Sequence, residues 1–230
     1  MTDMNIPDIT IAIDGFSSTG KSSFAKLVAR RFGFQYLDSG ALYRAVTLFA
    51  QESGLISDDN AVSVELEKAL GSLEVHFGKD GMTFVGDRCV EKEIRSMRVS
   101  SQVSPIAAVP YVRAWVDDCL HRLASGGRVV MDGRDIGTSV FPDAEIKIFM
   151  TASTEVRARR RYDEMVSHGG QPVYEEVLEN IRQRDYIDSH REASPLRRAD
   201  DAFGLDNSDM TLDEEVAWIT GLVQGKFGIL

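Results

Sequence analysis

The chain has 230 residues, of which 43% are hydrophobic and 27% are charged, and its formal net charge at pH 7 is −10. This profile is that of a globular protein with one core, or with one core and a small inserted unit, and it excludes an intrinsically disordered chain. The negative charge argues against a broad nucleic-acid-binding surface, no apolar run is long enough to span a bilayer, and the first residues lack a secretory signal pattern. We therefore expect a cytoplasmic protein with no nucleic-acid or membrane partner, and a monomer as the simplest state.

The cysteines and histidines do not indicate a metal centre. Cys89 and Cys119 lie in unrelated sequence contexts, which predicts two reduced core residues rather than a disulfide or a metal pair. The 4 histidines are too scattered along the chain to predict a metal cluster.

The first predicted element is a buried strand over 9–13, which leads through a loop into a helix that carries Phe24, Leu27 and Val28. The loop reads GFSSTGKS and fits G-x-x-x-x-G-K-[ST], in which backbone N–H groups and a helix N-terminus surround phosphate oxygens. In this pattern Lys21 places a charge at the β- and γ-phosphates, and Ser22 offers a hydroxyl to Mg²⁺. The chain is therefore predicted to bind a nucleoside triphosphate. The candidate residues for it are Gly15, Phe16, Ser17, Ser18, Thr19, Gly20, Lys21, Ser22 and Ser23.

A second strand is predicted over 32–37, and Asp38 stands at the N-cap position of the helix after it. Ser39 and Arg44 lie in the first part of this helix, near the carboxyl end of a strand, which is the edge where open α/β sheets bind ligands. A polar, capped helix is predicted from Ser57 to about Leu70.

The pattern then changes from helical to alternating. LEVHF, MTFV and RCVEK are short segments separated by GKDG and GD, which predicts a three-stranded antiparallel unit. We expect 59–105 to be an inserted subdomain, in a core built from 1–58 and 106–230.

A helical pattern over 99–123, interrupted at Pro105 and Pro110, leads to an apolar strand over 128–131 that ends at Asp132. An acidic residue directly after a buried strand is typical of the carboxylate that holds Mg²⁺ in triphosphate-binding proteins. The alternative is a turn residue that only ends the strand, since Asp-Gly is a common turn. Asp132 and Ser22 are therefore the candidate metal ligands.

Two arginine-bearing helices follow the next strand, at 144–150. Ser153 caps the first helix, in which Arg157, Arg160 and Arg161 share one face, and we expect a lid at about 154–172. The second helix follows Pro172. Its apolar stripe of Val173, Val177 and Ile181 continues on the same face as Arg184, Asp188 and Arg191. This change predicts a helix that passes from packing on the sheet to lining a polar cavity; the alternative is a solvated face with internal ion pairs.

The chain ends with a short strand at 202–205 and a helix whose capping box pairs Thr211 with Glu214. Alternation of strands and helices predicts an α/β fold with a parallel sheet flanked by helices, of the P-loop NTPase type.

The chain lacks the N-K-x-D segment that a switch GTPase normally carries. It has instead a second group of anion-binding candidates. Two facing phosphate sites would describe a kinase that phosphorylates a phosphorylated acceptor, and a closing lid would keep water from the phosphoryl group. The arginines of this group are Arg44, Arg113, Arg134, Arg184 and Arg191.

Four segments, IAIDGFSSTGKSS, YLDSGALYRA, MDGRDIGTSVFPDAEIKIFM and RDYIDSHREASPL, together resemble the bacterial cytidylate kinases in order and spacing over nearly the whole chain. The inserted unit is similar to the enlarged nucleoside-monophosphate (NMP) domain of that family. The family usually has Pro and Gly where this chain has Phe16 and Ser18. The resemblance implies phosphoryl transfer from ATP, with Mg²⁺, to CMP or dCMP, giving ADP and CDP or dCDP.

The resemblance also implies roles for individual residues. The cytosine ring and its neighbours would be held by Ser39, Ser104, Arg113, Asp135 and Arg191. Arg184 and Asp188 would contact the ribose, and the acceptor phosphate would be held by Ser17, Arg44 and Arg134. The catalytic residues would be Lys21, Arg134, Arg157, Arg160 and Arg161. Two alternatives stay open: a P-loop kinase of another monophosphate or small metabolite, and a nucleotide-binding regulatory module without turnover.

Overall fold

The computed structural model describes residues 6–78, 81–167 and 169–229. The middle of the predicted GKDG turn, His168 and the first residues inspected for a signal lie outside these described residues. The chain forms two compact units, one made of Met1–Tyr36 and Gly126–Leu230 and the other of Leu37–Ser125.

The secondary structure follows the predicted alternation. In chain order its strands and helices are β1 (Thr10–Gly15), α1 (Lys21–Phe32), β2 (Gln35–Asp38), α2 (Ser39–Glu52), α3 (Glu65–Ala69), β3 (Val75–Phe77), β4 (Thr83–Val85), β5 (Arg88–Cys89), α4 (Met97–Ala107), α5 (Pro110–Ala124), β6 (Val129–Gly133), β7 (Ile146–Thr151), α6 (Thr154–Ser167), α7 (Tyr174–His190), β8 (Phe203–Asp206) and α8 (Leu212–Phe227). Short 3₁₀ turns lie at Leu70–Ser72 and Glu93–Arg95, and a single π-helical turn lies at Ile136–Val140.

The main sheet has five strands in the order β2-β6-β1-β7-β8, and β1 is parallel to both β6 and β7. β1 lies at the centre because its side chains are apolar on both faces, as expected for a strand of a parallel sheet. Ile11 and Ile13 are fully buried against Phe24 of α1 and Ile219 of α8 in one cluster. Each such side chain contributes roughly 1.5–3 kcal/mol by leaving water. This packing confirms the predicted α/β fold and fixes the end of β1, where the phosphate-binding pattern begins.

The predicted helix caps are confirmed. The Asp38 side chain accepts a hydrogen bond from the Ala41 N–H at the start of α2. Thr211 and Glu214 form the reciprocal capping box of α8. These caps satisfy N–H groups that the first turn of a helix leaves without backbone partners.

The second unit contains the predicted antiparallel sheet, in the order β3-β4-β5. Val90 and Ile94 are buried in one cluster with Ala41 and Ala45 of α2, and the partly buried Val75 and Phe77 of β3 pack against that cluster. The small sheet is therefore an integral part of this unit.

Three expectations for the second unit are wrong. The helix predicted from Ser57 to Leu70 is limited to α3, because the Ser57 hydroxyl accepts the Ala61 N–H and Asn60 has a φ of 67°, which together make a turn. Pro105 lies inside α4 instead of ending it. Cys89 is exposed on the short strand β5, whereas Cys119 is buried as predicted, and both are free thiols.

Candidate active site

The phosphate-binding pattern forms a loop between β1 and α1 whose backbone requires glycine at its start. Gly15 has a φ of 150°, and a Cβ there would lie 2.1 Å from the Met150 carbonyl oxygen of β7. Gly20, at the N-cap of α1, has a φ of 91°. Ser18 adopts the left-handed region with a φ of 59°. The first turn of α1 holds no acidic residue, so its N–H groups and partial positive charge remain suited to an anion.

Lys21 is buried within this loop, with 5% of its surface exposed. Its ammonium group donates to the Phe16 carbonyl oxygen at 2.6 Å and to Thr19 Oγ1 at 3.3 Å. Burial, with the nearby charge of Arg134, holds the pKa of Lys21 well below its ordinary value, although the Asp132 carboxylate opposes this shift. A phosphate group beside the lysine would favour its charged form, since opposite charges stabilise each other most where water is excluded.

Asp132 lies one residue before the end of β6, beside the start of α1. Its Oδ2 atom accepts the Ser22 hydroxyl at 2.9 Å, and its Oδ1 atom accepts the Tyr36 hydroxyl at 2.6 Å. The two predicted metal ligands are thus adjacent, and a carboxylate with a hydroxyl is the type of oxygen donor set that suits Mg²⁺. Tyr36 was not predicted from the sequence; it lies on β2, and the sheet order, which places β2 beside β6, brings its hydroxyl to Asp132.

Arg134 joins the phosphate loop to α7. Its Nε atom donates to the Asp188 carboxylate at 2.8 Å, and its Nη2 atom donates to Ser17 Oγ at 3.1 Å. Burial opposes ionisation of Asp188, yet Arg134 and the charges of Arg184 and Arg191 hold the pKa of Asp188 below its usual range. A carboxylate kept ionised in this way can accept a hydrogen bond from a hydroxyl.

Asp135 forms an ion pair with Arg191 just after the end of α7. The distance from Arg191 Nη2 to Asp135 Oδ1 is 3.2 Å, and 7% of the arginine side chain and 5% of the aspartate side chain are exposed. Arg191 also donates to the Ser194 carbonyl oxygen. A buried ion pair adds little net stability, so stability alone does not account for the Asp135–Arg191 pair. An arginine fork beside a carboxylate is suited to binding a polar ligand.

Two of the three arginines predicted to share one face of α6 contact the phosphate loop. Arg157 is buried, donates to the Ser17 carbonyl oxygen at 3.1 Å and pairs with Asp185 of α7 at 2.6 Å. Arg160 donates to the Thr19 carbonyl oxygen at 3.1 Å. Arg161, by contrast, pairs with Glu164 on its own helix at 2.8 Å.

Asn207 and Glu215 support the far side of the loop and were not predicted. Asn207 Nδ2 donates to the Thr19 carbonyl oxygen at 2.8 Å and to Glu215 Oε1 at 2.7 Å. Burial raises the pKa of Glu215 despite this hydrogen bond. The signal in the sequence was the polar run DNS directly after a strand, at the carboxyl edge of the sheet.

The remaining candidates, Ser39, Arg44, Ser104 and Arg113, belong to the second unit. Arg113 is buried; it donates to the Ala107 carbonyl oxygen at 3.2 Å, and its guanidinium lies 5.5 Å from the centre of the Tyr43 ring. Burial opposes ionisation of Asp38, but Arg44 and Arg95 lower the pKa of that carboxyl. Ser39 is buried at the start of α2, and Ser104 lies in α4.

No helix among the described residues is both long and apolar enough to cross a membrane.

A family model described as "Cytidylate kinase" matches residues 11–225. A cytidylate kinase of Bacteroides fragilis is 50% identical over 216 residues, covering 92% of this chain and 94% of that protein. A cytidylate kinase of Phocaeicola vulgatus is 51% identical over 217 residues, covering 92% and 95%. Among solved structures, an uncharacterized protein from Eubacterium ventriosum aligns with a TM-score of 0.51 and 12% identity over 95% of this chain and 99% of that one, which shows a shared fold alone.

Proposed function

The chain belongs to the cytidylate kinase family, and we propose that it transfers the γ-phosphoryl group of ATP to CMP or dCMP, giving ADP and CDP or dCDP. The match extends over nearly the whole chain, which favours this reaction over a kinase of another acceptor and over a regulatory module.

One observation carries the proposal within the first unit: Arg134 donates both to Ser17 of the phosphate loop and to Asp188 of α7. Phosphoryl transfer requires positive charge near the oxygens of the transferred group, between donor and acceptor, more than it requires a general base. A guanidinium at the boundary of the loop supplies such charge in a planar, directed form. Lys21 lies inside the loop, where its ammonium group would neutralise charge on the donor phosphates.

We assign the donor site to the loop over 15–23. The acceptor residues carried over from the family are Ser17, Ser39, Arg44, Ser104, Arg113, Arg134, Asp135, Arg184, Asp188 and Arg191. Cytosine has an N4 amino group that a carboxylate such as Asp135 can accept from, whereas uracil has a carbonyl oxygen at that position. Asp188 would accept from a ribose hydroxyl.

Mg²⁺ would be held by Ser22 and Asp132, whose oxygen atoms lie together beside the loop. The ion would supply positive charge to the donor phosphates. Tyr36 would fix the orientation of the Asp132 carboxylate through its hydrogen bond to Oδ1.

The segment at 154–172 would act as a lid. Arg157 and Arg160 donate to carbonyl oxygens of the loop, and these hydrogen bonds would link the position of the lid to that of the loop. Arg161 would contribute charge from the same helix. The subdomain at 59–105 would contribute to NMP binding, and we expect a cytoplasmic monomer.

A coupled assay with ATP, Mg²⁺ and each of the four ribonucleoside monophosphates, with dCMP added as a fifth acceptor, tests the function. We expect rapid ADP formation with CMP and dCMP and slow formation with UMP, AMP and GMP. Equal rates with UMP and CMP would overturn the cytosine-selective reaction.

A further inference from the structure

Two buried charges on neighbouring strands contact one irregular segment, residues 134–142, which contains Arg134 and Asp135. Asp14 is the residue before the last of β1 and Lys147 lies on β7, and they are 5% and 7% exposed. Ala12 is paired with Lys147, and Asp14 is paired with Phe149. Because side chains alternate along a strand, Asp14 and Lys147 project from the same face of the sheet.

The Asp14 carboxylate holds the first half of this segment. Its Oδ1 atom accepts the Ile136 N–H and its Oδ2 atom accepts the Gly137 N–H, both at 2.8 Å. These two amides immediately follow Asp135. Both carboxylate oxygens are therefore used to fix the backbone that carries Asp135.

The Lys147 ammonium holds the second half. It donates to the Pro142 carbonyl oxygen and, at 2.8 Å, pairs with the exposed Asp201. Between these anchors the chain makes the π-helical turn Ile136–Val140, with the Phe141 N–H bonded to the Ile136 carbonyl oxygen at 2.7 Å. Turns of this type are uncommon and often lie at functional sites.

Gly137 lies at the meeting point of the two anchors. A Cβ there would be 3.2 Å from Lys147 Cγ and Cδ and 3.4 Å from Asp14 Oδ2. A side chain at this position would crowd Lys147, so the absence of one in glycine permits the close approach of the segment.

Keeping Asp14 charged costs stability, since burial raises its pKa to about 6 despite the two amide hydrogen bonds. This destabilising charge lies next to the segment that carries Asp135, and Asp135 pairs with Arg191. An apolar side chain at this position would avoid that cost but would leave the Ile136 and Gly137 N–H groups without their acceptor, so the carboxylate is needed to hold this backbone.

We propose that Asp14 and Lys147 are positioning residues that fix the 134–142 segment, and that discrimination of cytosine from uracil depends on them through Asp135. This inference rests on the proposed function, in which Asp135 reads the acceptor base. Neither residue needs to touch the nucleotide. A displacement of about 1 Å at a group that reads a ligand can cost 10²-fold in rate.

The test compares kcat/KM for CMP with kcat/KM for UMP in the wild type, Asp14→Ala, Asp14→Asn and Lys147→Met, well below the unfolding temperature of each. We expect the CMP-to-UMP ratio to fall by about 10-fold to 100-fold in Asp14→Ala and Lys147→Met, with the KM for ATP unchanged in Lys147→Met. Asp14→Asn retains one acceptor oxygen and should lie between.

Thr211→Ala is the stability control. It removes the capping box of α8, which should cost about 1 kcal/mol, and it should retain the wild-type ratio. A wild-type ratio in Lys147→Met or in a folded Asp14→Ala would overturn the inference, and if Asp14→Ala does not fold, Lys147→Met decides. If the wild type itself uses UMP as well as CMP, the proposed function fails instead.

Discussion

Three buried ionisable side chains, Asp14, Lys21 and Glu215, support the phosphate loop or its neighbouring segment. Burial shifts the pKa of each towards the neutral form: it raises the pKa values of the two acids and lowers that of the lysine. Such shifts are concentrated at functional sites, because a group that is costly to bury is retained where a ligand needs it.

Replacing Lys21 with methionine tests the charge at the loop separately from packing. Methionine keeps an unbranched apolar stem of similar length, so the free energy of unfolding should change little. Turnover should fall by about 10²-fold to 10³-fold, the effect of removing one preorganised electrostatic contact. Steady-state kinetics checks this, with Lys68→Met, an exposed lysine of α3, as the control that should behave as wild type. Wild-type turnover in Lys21→Met would contradict the role of the lysine.

Asp14 should make stability fall as the pH rises. Its pKa is about 6 in the folded protein against an ordinary value of 3.8, so between these values the folded state binds more protons than the unfolded state. The stability that Asp14 contributes at low pH is therefore lost as the pH rises through this window, by about 3 kcal/mol in total.

Urea unfolding of the wild type and Asp14→Asn at pH 4, 5, 6 and 7 checks this expectation. The difference between the two proteins isolates Asp14, because groups such as Asp38, Asp188 and Glu215 titrate in both. The wild type should lose stability relative to the variant from pH 4 to pH 7. Parallel profiles would show that Asp14 does not titrate in this range.

Sequence reasoning identified the residues whose spacing is local and missed those whose partners are remote. Lys21 and Ser22 follow from one short pattern, and Asp132 from its place after an apolar strand. Asp14, Tyr36 and Asn207 act through partners 122, 96 and 188 residues away along the chain. A local pattern can mark such a residue, as DNS after a strand marks Asn207, but it does not specify the remote partner, because the folding of the sheet brings the two together.

The pairing of β1 with β7 constrains the start of the phosphate loop. Gly15→Ala would place a methyl group 2.1 Å from the Met150 carbonyl oxygen, a backbone atom that cannot rotate away. We expect the unfolding temperature to fall and activity to be lost together. Gly221→Ala is the matched control: nothing lies within 4 Å of its Cβ, and in the interior of α8 alanine should stabilise by about 0.5–1 kcal/mol.

Thermal unfolding followed by circular dichroism distinguishes the two variants. An unchanged unfolding temperature and wild-type kinetics in Gly15→Ala would show that β7 can yield at this point.

The elements themselves were largely predictable where periodicity was long and strong, as in β1, α1 and α8. The exceptions arise from local chemistry. The Ser57 turn removes most of the predicted helix before α3, and Pro105 is accommodated near the end of α4, where only one intrahelical N–H is lost.

For the whole molecule, a chain of net charge −10 is proposed to bind two anionic nucleotides. Local guanidinium groups must therefore outweigh the overall charge at short range, where screening is weakest. The α/β class and the small antiparallel sheet followed from the change of hydrophobic period along the chain. The division at 59–105 and the lid at 154–172 stay predictions.

Acceptor binding should be visible without turnover as a gain in stability. CMP at 100 times its Kd should raise the free energy of unfolding by about 2.7 kcal/mol, and UMP at the same concentration should raise it by less. Thermal shift measurements without ATP check this, with Asp135→Ala as the variant in which the difference should shrink. Equal shifts for CMP and UMP in the wild type would argue against base recognition in the binary complex.

The central place of β1 also affects how the protein is made. Both of its neighbours lie far downstream in the chain: β1 begins at Thr10, whereas β6 and β7 begin at Val129 and Ile146. During synthesis the loop that would carry ATP therefore lacks both flanking strands until β6 and β7 have been made. The nascent chain thus exposes an apolar, unpaired strand throughout that interval, and early termination of translation leaves a fragment prone to aggregate rather than a partial enzyme.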